Sequence, residues 1–148
     1  MQDRFSTFTV LIDRIKRCIR RIKTEEMAEF DLKSPHVSCI YYLYRFEALT
    51  SKELAEICDE DKASVSRSLD FLEENGFIFC ENEMRKRYKS PFQLTQKGLE
   101  AGQKLVAKVD RIIEAASQGL AEEDRNTMYR GLAIISENLL RICDEYEE

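Results

Sequence analysis

The sequence predicts a mainly α-helical fold that contains one small β-hairpin. Its 148 residues include only five glycines and two prolines, while 34% are charged, and few helix breakers among many charges are typical of helical proteins. Apolar residues recur at alternating spacings of three and four near both ends of the chain, as on one face of a helix. After Gly76 this spacing gives way to the segment "FIFCE", which is typical of a strand.

The first segment carries an apolar seam that predicts a helix from about Asp3 to Met27. Its apolar residues have the spacing of a coiled-coil seam, and the basic residues of this segment fall off it. A second helix is predicted to open with Ser34 as N-cap and Pro35 at the first helical position, where no backbone donor is needed. The seam of the first helix comprises Phe5, Phe8, Ile12, Ile15, Ile19 and Ile22, and the apolar side of the second comprises Val37, Ile40, Tyr41 and Tyr44.

Two short helices joined by a tight polar turn are predicted in "LTSKELAEICDEDKASVSRSLDFLEENGFI". Thr50 and Glu53 have the form of a capping box, although Ser51 could cap the first of these helices instead. Asp61 suits the N-cap of the second helix, and Asn75–Gly76 is a typical helix end. Two such helices predict a helix-turn-helix.

A hairpin, or wing, should follow, because "FIFCE" and "SPFQL" flank a polar and basic stretch. Pro91 confines the second strand to a sheet edge, and Thr95 suits the N-cap of the next helix. Two long helices with sustained seams then close the chain, with the polar break "AEED" between them. Their seams are Leu99, Gly102, Val106, Val109, Ile113, Ala116 and Leu120, and Met128, Leu132, Ile135, Leu139, Ile142 and Tyr146.

The wing concentrates positive charge in a chain whose net charge is −5. No carboxylate occurs between Met84 and Leu99, and nucleic-acid recognition depends on the local field rather than on the net charge. The start of the second helix of the helix-turn-helix adds small, hydroxylated and basic side chains, which fit a major groove, while a wing arginine can enter the minor groove. Each feature alone is also typical of a solvated surface, but their order within one winged helix favours double-stranded DNA as a partner. The predicted DNA contacts are Ser51, Lys52, Lys62, Ala63, Ser64, Ser66, Arg67, Arg85, Lys86, Arg87 and Lys89.

The terminal seams fit either an intramolecular bundle or a homodimer. A two-fold DNA reader needs a second copy, so we expect the seams to bind that copy. The predicted dimerisation residues are Phe8, Ile12, Ile15, Ile19, Leu132, Ile135, Leu139 and Ile142.

Catalytic residues are scarce, and no cofactor or metal site is predicted. His36 is the only histidine, and neither a Ser-His-Asp nor a Cys-His set nor a glycine-rich phosphate loop can be argued. The five cysteines form no CxxC pair, and most are expected to be buried. Cys18 is the candidate redox switch, should neighbouring arginines lower its pKa. The candidate lining of a pocket for an aromatic effector is Cys18, His36, Tyr41 and Tyr44, although such aromatics are more often part of a core.

The order of these elements resembles the MarR family of bacterial transcription regulators, over nearly the whole chain. The segments "ELA", "SVSRSLDFLEENGFI" and "LTQKG" stand where that family has its counterparts. The resemblance implies an obligate homodimer held by the first and last helices, paired winged helices on a pseudo-palindromic operator, and phenolic or lipophilic effectors bound between the dimer region and the DNA-reading region. The family's wing commonly carries Asp-x-Arg or Asp-Arg-Arg, whereas Lys86 occupies the Asp position here and Arg87 retains the arginine.

These inferences predict a single MarR-type domain over residues 1–148, with dimerisation helices at 1–33 and 101–148 and a winged helix-turn-helix at 34–100. We expect a homodimeric, cytoplasmic, sequence-specific DNA-binding regulator, acting as a repressor and modulated by a small aromatic or lipophilic effector. No transmembrane segment or signal peptide is recognisable, so no membrane partner is expected. Two alternatives stay open: a dimeric winged-helix protein-interaction module without operator binding, and a cysteine-based redox-sensing regulator.

Overall fold

The computed structural model describes residues 3–58, 60–81 and 89–147, apart from the side chain of Phe5. The chain forms a mainly α-helical fold with one two-stranded antiparallel hairpin, which confirms the predicted fold class. A short 3-10 helix at Ala28–Phe30 follows the first α-helix. The elements are α1 (Arg4–Glu26), α2 (Ser34–Phe46), α3 (Ser51–Cys58), α4 (Lys62–Glu74), β1 (Ile78–Cys80), β2 (Phe92–Leu94), α5 (Gln96–Ala116) and α6 (Glu122–Glu145).

The chain divides into two compact units, Met1–Val109 and Asp110–Glu148. The hydrophobic core of the first unit combines side chains from α2, α3, α4, the hairpin and the first half of α5. Ile40, Leu54 and Leu72 are fully buried, and Ile78 and Leu105 are only 2% exposed. Burying one such side chain stabilises the fold by about 1.5–3 kcal/mol, so this core holds the helix-turn-helix and the wing strands together.

The start of α2 differs from the prediction, because Lys33 and not Ser34 is the N-cap. The backbone N–H of Lys33 donates to Nδ1 of His36 at 3.1 Å. Ser34 is the first helical residue and is buried, and its N–H donates to Oγ1 of Thr24 in α1 at 3.1 Å. Packing against α1 therefore supplies the partner for this N–H and draws Ser34 into the helix.

A capping box opens α3, as predicted. The backbone N–H of Thr50 donates to Oε2 of Glu53 at 2.8 Å, and the N–H of Glu53 donates to Oγ1 of Thr50 at 3.2 Å. Thr50 rather than Ser51 thus provides the cap. These hydrogen bonds to the backbone and hydroxyl of Thr50 favour the carboxylate and hold the pKa of Glu53 below its ordinary value.

The wing strands pair in antiparallel register, with Ile78 opposite Leu94 and Cys80 opposite Phe92. The chain before α3 joins this pairing, since the N–H of Leu49 donates to the carbonyl of Phe92 at 3.2 Å and the N–H of Phe92 donates to the carbonyl of Leu49 at 2.8 Å. The base of the wing is therefore hydrogen-bonded to the entry of the helix-turn-helix.

The buried face of α5 differs from its predicted seam. Gly98, Ala101, Gly102 and Leu105 are buried, whereas Leu99 is 44% exposed. The spacing alone describes several overlapping helical faces, and only the position of the neighbouring helices decides which of them meets the core.

Both terminal helices leave their apolar seams on the surface. All eight predicted dimerisation residues are at least 37% exposed, and no residue of α6 is buried. The predicted break "AEED" is also shorter than expected: Glu122, Glu123 and Asp124 form the first turn of α6, where acidic side chains favour a helix start. No helix in the described part of the chain has the length and apolar character needed to cross a membrane.

Candidate nucleic-acid interface

The N-terminus of α4 is fixed by a side-chain cap and by its buried face. The backbone N–H of Ser64 donates to Oδ1 of Asp61 at 2.7 Å, which confirms the predicted cap. Val65 and Leu69 are 2% exposed and pack into the core. These contacts fix the orientation of α4 about its axis and therefore decide which side chains point outward.

The outward face of the first turns of α4 carries the residues that were predicted to approach DNA bases. Lys62, Ala63, Ser66 and Arg67 are exposed, while Ser64 is half-buried beside the cap. The small side chains of Ala63 and Ser66 allow close approach of the helix backbone to a groove, and the guanidinium of Arg67 can donate two hydrogen bonds to guanine.

The start of α3 presents the predicted phosphate contacts, Ser51 and Lys52. Ser51 is half-buried and Lys52 is exposed. The backbone N–H groups of a helix N-terminus and an exposed ammonium both favour a phosphate. Because α3 packs against α4 in the same core, these two helix starts form a single rigid unit.

Three of the predicted wing contacts, Arg85, Lys86 and Arg87, lie outside the described residues. Lys89 is exposed in a short turn that leads into β2. The strands of the wing are held by the core, since Ile78 and Phe92 are almost completely buried.

Among the cavities in the described part of the first unit, two share Lys23 and Ser38 in their lining. The larger, of about 270 Å³, is lined by apolar residues of α1 together with Lys23, Ser38, Cys58 and Glu60. The smaller, of about 130 Å³, is lined by Lys23, Ser38, Tyr41 and Tyr42 with apolar residues of α2 and α5. Lys23 donates from Nζ to Oγ of Ser38 at 2.9 Å, and burial holds the pKa of Lys23 below its ordinary value.

Of the four residues predicted for an effector pocket, Tyr41 lines the smaller cavity. Tyr44 instead packs against α5, where a Cβ on Gly102 would lie 2.5 Å from its Cδ2. Cys18 is exposed on α1. The structure therefore does not gather all four around either cavity.

His36 in α2 packs against Phe71 in α4. Its ring stacks on Phe71 with centroids 4.1 Å apart and planes 7° from parallel, and its Nδ1 accepts the N–H of Lys33. Burial, followed by the charge of Lys33, holds the pKa of His36 below its ordinary value, with Asp31 opposing them. These contacts favour a neutral ring protonated at Nε2 and a structural role.

Sequence reasoning missed Lys23, Ser38 and Cys58 as cavity residues. Lys23 lies off the apolar seam of α1, where a basic side chain is expected in solvent, and the sequence indicates no contact for Cys58. The expectation that most cysteines are buried is also wrong, because only Cys39 is buried, Cys58 and Cys80 are half-buried, and Cys18 and Cys143 are exposed. No local pattern distinguishes a lysine that folds back over a neighbouring helix from one in solvent.

In the described part of the chain, no group of three or more His, Cys, Asp or Glu side chains is placed to hold a metal.

Comparison with known proteins finds a matching family model and a similar protein of known sequence. Residues 30–87 match the model of the MarR family. The HTH-type transcriptional regulator YybA of Bacillus subtilis is 26% identical over 131 residues, which cover 88% of this chain and 87% of that protein.

Solved structures show the same fold over nearly the whole chain. A MarR family transcriptional regulator from Listeria monocytogenes, complexed with a 26mer DNA, has a TM-score of 0.80 at 21% identity and covers 94% of this chain and 90% of its own. Staphylococcus aureus MarR, in complex with salicylate and kanamycin, has a TM-score of 0.78 at 18% identity, with 92% of each chain covered. Residues 30–87 therefore resemble the MarR family, and the chain as a whole shares the fold of the solved MarR structures.

Proposed function

We propose that this protein is a homodimeric, sequence-specific DNA-binding transcription regulator that reads a pseudo-palindromic operator through α4. The single observation that carries this proposal is the N-terminal face of α4. There Lys62, Ala63, Ser66 and Arg67 are exposed on a helix that Asp61 caps and the core holds. A rigid helix whose first turns combine small and basic side chains suits insertion into a major groove.

Double-stranded DNA is the proposed partner, and the DNA complex of the Listeria monocytogenes relative supports it. Lys52 at the start of α3 and Lys89 beside β2 are exposed and suit phosphate contacts. Each phosphate that the protein neutralises lowers the slope of log affinity against log salt by about 0.9. Binding through these contacts should therefore weaken steeply as salt rises.

Dimerisation is proposed through the exposed apolar seams of the terminal helices. Ile15 on α1 is 54% exposed, and Leu139 on α6 is 50% exposed. Monomeric proteins seldom leave apolar surface of this extent open to water. A two-fold dimer would present two copies of α4 about one DNA turn apart, or ~34 Å.

A small aromatic or lipophilic effector is the proposed modulator. The Staphylococcus aureus relative is in complex with salicylate, and the smaller cavity offers Tyr41 and Tyr42 beside the ammonium of Lys23. Repression as the direction of control rests on the family resemblance. A reporter fused to the protein's own upstream DNA tests it, because deletion of the gene should raise expression of the reporter.

Operator binding is tested by fluorescence anisotropy with a labelled duplex from the DNA upstream of the protein's own gene. The dimer should bind this duplex more tightly than a scrambled duplex, and affinity should fall steeply between about 50 and 200 mM salt. Arg67→Ala should weaken specific binding by about 1–3 kcal/mol, or roughly 5- to 150-fold.

Arg130→Ala is the matched control, because it removes the same charge from an exposed position on α6. It should leave operator affinity unchanged. Equal losses in the two variants would mean that Arg67 acts only through net charge. A dimer that binds neither duplex at low salt would instead favour the second candidate, a winged-helix protein-interaction module.

A further inference from the structure

Lys23 of α1 reaches across to α2 and lines two of the cavities in the first unit. Its Nζ donates to Oγ of Ser38 at 2.9 Å, and Ser38 lines both of these cavities as well. The hydroxyl of Ser38 donates its own proton to the carbonyl oxygen of Ser34 at 3.1 Å, so towards Lys23 it acts as an acceptor. These two successive hydrogen bonds fix the position of the amine beside the cavities.

The surroundings of Lys23 disfavour its charged form. Its hydrogen-bond partner Ser38 is uncharged and only 5% exposed. Burial lowers the pKa of Lys23, Cys58 and Glu60 oppose this effect, and the positive charge of Arg20 adds to it. A lysine that is desolvated beside another cation is the type that forms Schiff bases with carbonyl compounds.

Lys108 of α5 is also half-buried, but its partners are charged. Its Nζ lies 3.7 Å from a carboxylate oxygen of Glu26 and 3.5 Å from one of Glu29, and it donates to the backbone carbonyl of Glu26. These contacts engage its N–H groups, so its nitrogen is poorly placed to attack a carbonyl carbon. The polar partners, and not burial alone, therefore distinguish Lys23 from Lys108.

The smaller cavity, of about 130 Å³, suits an apolar molecule whose polar end meets Lys23. Val37 on α2 and Leu105 on α5 are almost completely buried, and they line the cavity together with Tyr41 and Tyr42. The two tyrosine rings meet edge to face, with centroids 5.3 Å apart. Apolar walls with one polar group are typical of a small-molecule site, and an aldehyde with a small apolar or aromatic group has the complementary form.

We propose that Lys23 is a covalent binding site for small apolar aldehydes, which it captures as an imine in the smaller cavity. The lone pair of the neutral amine attacks the carbonyl carbon: a C–N bond forms, the π electron pair moves to the oxygen, and one proton passes from nitrogen to oxygen. The carbinolamine then loses water: the C–O bond breaks, the nitrogen lone pair forms the C=N bond, and the second amine proton leaves with the hydroxyl group. One amine and one aldehyde give one imine and one water, so no oxidant or reductant is required. The proposal rests on the proposed function only in placing the aldehyde in the cavity of the proposed effector.

The test treats the full-length protein with benzaldehyde and sodium cyanoborohydride, which reduces an imine to a stable benzylamine. Peptide mass spectrometry should find the benzyl adduct at Lys23 about tenfold faster than at Lys108 in the same sample, because the amine of Lys23 is desolvated and that of Lys108 is ion-paired. The rate at Lys23 should saturate as the benzaldehyde concentration rises, as expected for a bound ligand. Benzyl alcohol, which has a similar shape but forms no imine, should slow the reaction at Lys23.

Variants test the role of the surrounding charge. Lys23→Arg should leave no adduct at this position. Arg20→Gln should slow labelling of Lys23 by about two- to fivefold, the effect of one exposed charge. Arg21→Gln is the matched control, because Arg21 is equally exposed on α1 but lines neither of the two cavities, and it should react at the wild-type rate.

Two results would overturn the proposal: labelling of Lys23 no faster than of Lys108, or a rate at Lys23 that benzyl alcohol does not change. These measurements contain no DNA. A protein that binds no operator could still form the imine, and failure of the labelling would leave the DNA-reading role of α4 intact.

Discussion

Gly98→Ala should destabilise the protein, although alanine is the better helix former. Gly98 lies in the first turn of α5, and a Cβ added there would lie 2.1 Å from the carbonyl oxygen of Phe77 and 3.0 Å from Cδ2 of Leu94. The Phe77 carbonyl accepts the N–H of Thr95 at 3.0 Å, and the N–H of Phe77 donates to the carbonyl of Leu72 at 2.9 Å. The oxygen is therefore held by its own hydrogen bond, and the residue is held by that of its N–H, so the oxygen cannot move away without weakening these bonds.

The size of the effect follows from this contact. Ordinary van der Waals contacts of a Cβ begin at 3.4 Å, so the new methyl group would overlap the oxygen by about 1.3 Å. Overpacking of this kind costs about 1–3 kcal/mol, and a clash with a fixed backbone atom lies at the upper end. Replacing a helical glycine by alanine stabilises the helix by about 1 kcal/mol, which offsets part of this cost. We expect a net loss of about 1–2 kcal/mol in the free energy of unfolding.

Gly131→Ala is the matched control, because Gly131 is also helical but a Cβ there meets nothing within 4 Å. This variant should gain up to about 1 kcal/mol. Both variants are measured by urea denaturation followed by circular dichroism, at one fixed protein concentration because the stability of the proposed dimer depends on concentration. A Gly98→Ala protein as stable as the wild type would refute the argument that the Phe77 carbonyl is immobile.

Three further predictions concern the cap of α4, the half-buried His36 and the terminal seams. Asp61→Ala should lower the free energy of unfolding by about 1 kcal/mol, since the capping hydrogen bond is lost. Asp61→Asn keeps the acceptor and should keep most of the stability. Equal losses of the two variants in urea denaturation would rule out a capping role. Folding favours the neutral form of His36, because burial and then the charge of Lys33 lower its pKa against the effect of Asp31. The unfolded chain therefore binds the proton more readily, so this contribution to stability is full above the unfolded pKa of about 6.5 and is lost as pH falls below it. His36→Asn should flatten the pH dependence of the melting temperature in thermal melts. An unchanged slope would contradict the argument that His36 is neutral in the folded protein. Leu139→Glu places a charge on the exposed seam of α6 and should convert the proposed dimer to monomer in sedimentation velocity, whereas an unchanged dimer would exclude that seam from the interface.

The helix starts were predictable because a cap depends on residues three positions apart. Thr50 and Glu53 form the predicted capping box, Asp61 caps α4 and Thr95 caps α5 through the N–H of Gly98. The exception is Ser34, whose N–H bonds to Thr24 ten residues earlier. A cap set by contact with another helix leaves no signal in the local sequence.

The proposed DNA-reading face was also predictable in part. Once Val65 and Leu69 are assigned to the core by their spacing, Arg67 falls on the opposite side of α4, and in the structure Lys62, Ser66 and Arg67 are all exposed. The wing arginines were inferred from charge and resemblance alone, and they stay a prediction.

By itself, the sequence determined the order and type of the elements, because helical spacing, caps and turn residues act over three or four neighbouring positions. Only the tertiary structure decided which face of α5 is buried and that Gly98 must lack a side chain. These features depend on how separate helices pack together. Such packing is set by the shape of the whole core, and no short stretch of residues records it.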